Sequence, residues 1–320
     1  MTRPFVALAL ACAVACGGGG SKPSGTVRIA LNWFPESEHG GYFAALTDGL
    51  YAAGGMTVEL LPGGPGVPVL PRVASREVDF GVGNADDVVA ARAAGVPVVT
   101  LLAPIHQSPL CVMVHARSDI TRLDQLRDLT LAMQPGTPQV AWLEHTGRLD
   151  GVQVVPYSGS VAPFLANERY AQQAYIFSEP IIARAKGADV RCIAFAETGF
   201  NPYASGLVTS EALLRERPEV VRAVVEASAE GWRRYVDDPS AANGTILARN
   251  PEIGRDALER GAWALRPLVL DSDARHDGVG SMRADRWAAI AAQMREIGMI
   301  DHPVEPSTLY DARFVPLPGR

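Results

Sequence analysis

A repeating rhythm constrains the fold of this 320-residue chain more than any other feature. From residue 26, short apolar runs alternate with segments of helical spacing: strand 27–31, helix 39–53, strand 56–61, a short helix 67–75, strand 78–82, helix 86–94 closed by Gly95, and strand 96–103. Such alternation predicts parallel strands with helices on both faces. After a strand at 110–115 a second unit opens at Ser118. It holds strand 129–133, helix 139–146, strands 152–156 and 171–177, helix 179–186 and strand 189–195. Beyond Ser210 the pattern turns helical. Val221, Val224, Val225, Ser228, Trp232 and Tyr235 share one face of a helix at 218–236, and Trp263 and Trp287 occupy core-like positions on helices 251–265 and 284–298. One β/α block, a second, and then helices without strands of their own predict an interrupted first domain. The expected architecture is α/β with two lobes, 26–114 plus 206–320 and 115–205. Two crossings, near His115 and Tyr203, would form a hinge with a ligand cleft between the lobes.

Hydrophobic residues make up 48% of the chain, enough for a large core, and the net charge of −6 with no basic cluster argues against nucleic acid as a partner. Lys22 and Lys186 are the only lysines, so Schiff-base chemistry has almost no candidate. Arg3, the apolar run 5–15 and Ala13-Val14-Ala15-Cys16 followed by Gly17-Gly18-Gly19-Gly20-Ser21 read as a lipoprotein leader, with Cys16 as lipidation site and 17–25 as tether; a plain secretory signal is the alternative. No other stretch is long and apolar enough to span a bilayer. The expectation is an exported, membrane-anchored, monomeric body. Its two remaining cysteines, Cys111 and Cys192, read as buried thiols rather than a disulfide.

Polar loops at strand ends carry the candidate site. In 31–43, Trp33 and Tyr42 are placed to stack on a planar ring, Asn32 to read its edge and His39 to hydrogen-bond; the competing reading is a loop covering a core edge. Asn84 and Asp86 follow the glycine turn Gly81-Val82-Gly83. One of them caps a helix, and the Asp86-Asp87 pair disfavours an anionic ligand. Gln134, Gly136 and Thr137 lie before a helix whose free N–H groups suit a polar tail. Glu179 begins another helix and offers a carboxylate, and Tyr203 lies at the second crossing. No GxSxG, HExxH, Walker A or CxxC occurs and the six histidines lack metal-ligand spacing, so neither enzyme activity, a metal nor a cofactor is expected.

The leader, Asn32-Trp33-x-Pro35-x-x-x-His39-x-Gly41, the Asp79-Phe80-Gly81 strand, Ile120-x-x-Leu123-x-x-Leu126 and Gly231-Trp232-x-x-Tyr235-x-x-x-Asp238-Pro239 resemble the substrate-binding proteins of ABC importers. The branch is that of thiamine pyrimidine precursors, within a superfamily that also binds nitrate, sulfonates and taurine. The resemblance spans most of 26–250. It implies a type II periplasmic-binding-protein fold, a small planar heterocycle held between the lobes, and delivery to a membrane permease. Riboflavin-type ligands and small anions remain alternatives. The same family includes a pyridoxal-phosphate-using pyrimidine synthase, whose cysteine-rich motif is absent here.

Overall fold

The computed structural model describes residues 25–318; the leader and Cys16 lie outside them. The described strands are β1 Gly25–Ala30, β2 Met56–Leu61, β3 Phe80–Gly83, β4 Val98–Leu102, β5 Leu110–His115, β6 Leu129–Ala132, β7 Val152–Val155, β8 Tyr170–Tyr175, β9 Val190–Ala194 and β10 Gly206–Ser210. They form two five-stranded sheets, ordered β2-β1-β3-β10-β4 and β7-β6-β8-β5-β9. Helices cover both, as the alternating pattern requires. In the two-lobed α/β fold the first sheet is built from both ends of the chain and the second from its middle.

Two expectations shift. The sheets are mixed, not parallel: β10 runs antiparallel to β3 and β4, and β5 antiparallel to β8 and β9. Parallel neighbours need a crossover connection, usually a helix, and β5 and β10 instead follow directly on the segments that cross between lobes. Strand β5 also belongs to the second sheet, so the first crossing precedes residue 110 instead of lying near His115. The crossing segments run antiparallel, with Ala204 N–H donating to the Ile105 carbonyl (3.1 Å).

The expected helix at 39–53 is broken. A 3₁₀ turn, Ser37–His39, leads into helix Gly40–Thr47; Gly49 then takes a left-handed φ of 70° before a last turn at Leu50–Ala53. Helix Gly40–Thr47 packs on helix Pro218–Tyr235 at very close range. A Cβ on Gly41 would lie 2.1 Å from Trp232 Cγ, one on Gly40 2.0 Å from Tyr235 Cζ, and one on Gly231 2.2 Å from the Gly41 carbonyl oxygen. Trp287 is fully buried, but Trp263 is 56% exposed. The buried face of helix Arg255–Val269 runs through Leu258, Ala262, Leu265 and Val269, which turns Trp263 outward beside Arg266.

The cysteines correct another expectation. Neighbouring strands β5 and β9 hold Cys111 and Cys192 at a Cα–Cα distance of 5.5 Å, and their sulfurs are bonded. A separation of 81 residues conceals this pairing in the sequence. No helix among the described residues is long and apolar enough to cross a membrane.

Gly41→Ala is expected to lower unfolding free energy by about 1–3 kcal/mol, because the added methyl must displace the Trp232 ring from a filled core. Urea denaturation read by Trp fluorescence checks this; an unchanged midpoint would show that the crossing tolerates a methyl.

Candidate functional site

A cleft of about 850 Å³ opens between the lobes, a volume usual for small-molecule sites. The first lobe contributes Asn32, Trp33, Glu36 and Glu38; the second contributes Gln134, Tyr157, Gln173, Tyr175, Phe177 and Glu179, among others. Most lie just beyond strand ends: Asn32 and Trp33 after β1, Gln134 after β6, Tyr157 after β7, and Phe177 and Glu179 after β8. Gln173 and Tyr175 reach the cleft from the end of β8 itself; the other polar groups come from the loops that follow the strands.

Asn32 is held by His39. The buried imidazole accepts from the Glu36 N–H at Nδ1 (3.4 Å) and places Nε2 2.9 Å from Asn32 Oδ1. This pattern assigns the proton to Nε2, so the ring donates to Asn32. The Asn32 –NH₂ makes no hydrogen bond to a described residue, and Asn32 lines the cleft. Burial depresses the His39 pKa to about 3, so the ring is neutral at physiological pH. Trp33, 41% exposed, presents its ring at the cleft wall, edge-on to Phe34.

Three carboxylates converge from both lobes. Glu38 is buried and accepts from the Ser205 hydroxyl at Oε2 (3.1 Å). Glu179 accepts from the Tyr157 hydroxyl at Oε1 (2.6 Å) and from the Tyr175 N–H at Oε2 (2.7 Å). Burial, followed by the charges of Glu38 and Glu179, raises the Glu36 pKa well above the carboxylate range. Burial raises Glu38 to about 7; the Ser205 hydroxyl opposes the rise and Glu179 adds to it. Carboxyl groups gathered in this way accept from N–H donors, and those that ionise repel small anions.

Several residues expected at the ligand stand elsewhere. Tyr42 is fully buried; its ring meets Trp232 edge-on (5.8 Å) and its hydroxyl donates to the Ser205 carbonyl (2.7 Å), so it cannot stack on a ligand. His39 has no exposed surface and acts through Asn32. Asn84 Oδ1 accepts from the Ser205 N–H (3.1 Å). Asp86 is buried and turns to the second lobe, accepting from Gln139 Nε2 (2.8 Å). Tyr203 packs under Arg286 (3.9 Å to the ring centroid), away from the cleft, and its hydroxyl accepts from the Arg283 N–H. Gln134 lines the cleft, its N–H held by Gln173 Oε1 (2.8 Å), whereas Gly136 and Thr137 are not among the lining residues and Thr137 instead donates to the Gln134 carbonyl. Asn32, Trp33, Gln134 and Glu179 are thus brought together at the cleft. Tyr42 and Asn84 converge one layer behind it on Ser205, a buried residue with a left-handed φ of 52° that in turn holds Glu38.

The sequence reading missed Glu36, Glu38, Tyr157 and Tyr175. The glutamates sit inside the stretch already singled out, and Tyr157 directly follows a strand, so the strand-end rule applied to every loop would have found them.

Two lobes, mixed sheets of this order and a polar cleft at the strand ends define the type II periplasmic-binding-protein fold. The chain belongs to the NMT1/THI5-like family, whose model matches residues 36–242. The riboflavin-binding protein RibY of Chloroflexus aurantiacus is 26% identical over 304 residues, 91% of this chain and 86% of the relative. A formylaminopyrimidine-binding protein of Halalkalibacterium halodurans is 24% identical over 291 residues, 87% of each. The periplasmic aliphatic sulphonate-binding protein SsuA of Escherichia coli shares the fold, with a TM-score of 0.65 at 14% identity over 88% of this chain and 91% of that one.

The raised Glu38 pKa sets a pH dependence. Between the usual value of 4.5 and about 7 the folded chain keeps a proton that the unfolded chain releases. This stabilisation is full below pH 4.5 and is lost as pH rises through about 7. Glu38→Gln, which cannot ionise, is therefore expected to stabilise the ligand-free protein by about 1–3 kcal/mol at pH 8 and to change little at pH 4.5. Thermal melts of both proteins at the two pH values test this, and an equal effect at both would remove the assignment.

Proposed function

We propose that this chain is the exported solute-binding component of an ABC importer, taking up a small planar heterocycle rich in N–H donors and delivering it to a permease. The observation that carries the reading is the cleft itself. An exposed indole stands beside an amide donor, and carboxylates face each other from the two lobes. A planar ring carrying amino groups meets all three requirements: it stacks on Trp33, accepts from Asn32, and donates to Glu38 and Glu179. The two relatives are named for planar heterocycles, riboflavin and a formylaminopyrimidine, and the second of these carries an amino group. A thiamine pyrimidine precursor or a related heterocycle is the ligand class we favour. Small sulfonates and nitrate fit an acidic floor poorly.

Export and anchoring through Cys16 rest on the leader sequence, and the Cys111–Cys192 disulfide supports an oxidising compartment. Binding without catalysis is the favoured mode. His39 is buried, neutral and committed to Asn32, which suits a positioning residue better than a reacting one. A pyridoxal-phosphate enzyme is the competing class; incubation with pyridoxal phosphate would then produce an aldimine absorbance band.

Thermal shift against aminopyrimidines, thiamine, riboflavin, taurine and nitrate is the deciding experiment, since a ligand of the native state raises its melting temperature. Heterocycles are expected to shift the melt and the anions to leave it unmoved; the reverse pattern overturns the reading. Trp33→Ala is expected to weaken the heterocycle by about 1–3 kcal/mol, roughly 5- to 150-fold, by analogy with base stacking. Titration calorimetry reads the change, and unchanged affinity would show that the ring does not stack there.

A further inference from the structure

The cleft carries a positive charge as well as carboxyl groups. Helix Glu179–Ala185 runs along its wall, and Glu179, Ile182 and Lys186 all line it. Their spacing of three and then four residues puts them on one face of the helix. Lys186 therefore lies about 10 Å beyond Glu179, at a rise of about 1.5 Å per residue. Its ammonium group has no carboxylate partner among the described residues, although the chain is acidic overall.

Ser158, Gly159 and Ser160 line the same cleft, in the loop that follows Tyr157. Their backbone N–H groups make no hydrogen bond to a described residue, and a Cβ on Gly159 would meet nothing within 4 Å. Beside its carboxyl groups the cleft thus offers backbone donors, the Ser158 hydroxyl and a positive charge.

We infer that the ligand is amphoteric, a donor-rich ring over the acidic floor with an anionic arm, such as a phosphate, reaching Lys186 and the amides of Ser158–Ser160. This inference rests on the heterocycle reading and deepens it. Charge of both signs in one cleft, separated along one helix face, selects a ligand with the matching separation. A neutral-tailed heterocycle leaves Lys186 unused, and a bare anion meets the carboxylates.

Two ligand pairs differing by one phosphate test this: riboflavin with flavin mononucleotide, and thiamine with thiamine monophosphate. Titration calorimetry of the full chain is expected to give at least fivefold tighter binding for the phosphorylated member of one pair. In Lys186→Gln the two members should come within twofold. Lys186 is exposed and its side chain makes no hydrogen bond or ion pair to a described residue, so the variant should fold as the parent does. Higher ionic strength should narrow the parent's preference, because the partner charge is exposed. If the unphosphorylated member binds as well or better, or if Lys186→Gln keeps the preference, the inference falls and the heterocycle reading stands. If no member of either pair binds while an aminopyrimidine does, the inference falls and the heterocycle reading stands; if no heterocycle binds, both fall.

Discussion

The close crossing of helices Gly40–Thr47 and Pro218–Tyr235 is the contact on which the site depends. Gly40, Gly41 and Gly231 remove the side chains that would hold the helices apart, and Trp232 and Tyr235 fill the space left. The helix seated this way directly follows the 3₁₀ turn that carries Glu38 and His39. It also brings the Tyr42 hydroxyl to the Ser205 carbonyl, so the first-lobe wall is anchored to the crossing segment at two points, through Tyr42 and through Glu38. Widening the helix crossing would move the turn and the carboxylate together, because closely packed interiors transmit displacement.

Electrostatics then links the wall to the motion expected of two lobes. Glu36 and Glu38 face Glu179 across the cleft, and burying like charges together costs free energy. Protonation of Glu38 relieves part of that cost, and a ligand that donates hydrogen bonds or carries positive charge relieves more. A ligand stabilises closure only to the extent that it binds the closed form better.

Much of the site was legible as sequence, but with its layers confused. Asn32, Trp33, Gln134 and Glu179 follow strands directly, and the strand-end rule finds such residues. Tyr42, His39 and Asn84 were recognised as important and assigned to the wrong layer. Residues that hold a contacting group are as chemically distinctive as the group itself. Periodicity cannot say whether a tyrosine at a helix start faces a cleft or a neighbouring helix. Here the answer came from Trp232, nearly two hundred residues away. Tyr203 was misplaced for a similar reason, since Arg286 and Trp287 of a late helix cover it.

The sequence alone determined the class of architecture, because alternating strand and helix periods with an interruption and a helical return admit few topologies. It also determined the aromatic and polar content of the strand-end loops. Tertiary structure decided the direction of β5 and β10, the Cys111–Cys192 bond, the exposure of Trp263 and the convergence of Glu36, Glu38 and Glu179. Each of these depends on which distant segments become neighbours. Local propensity acts over a few residues, whereas strand order, side-chain pairing and desolvation are properties of the assembled lobes.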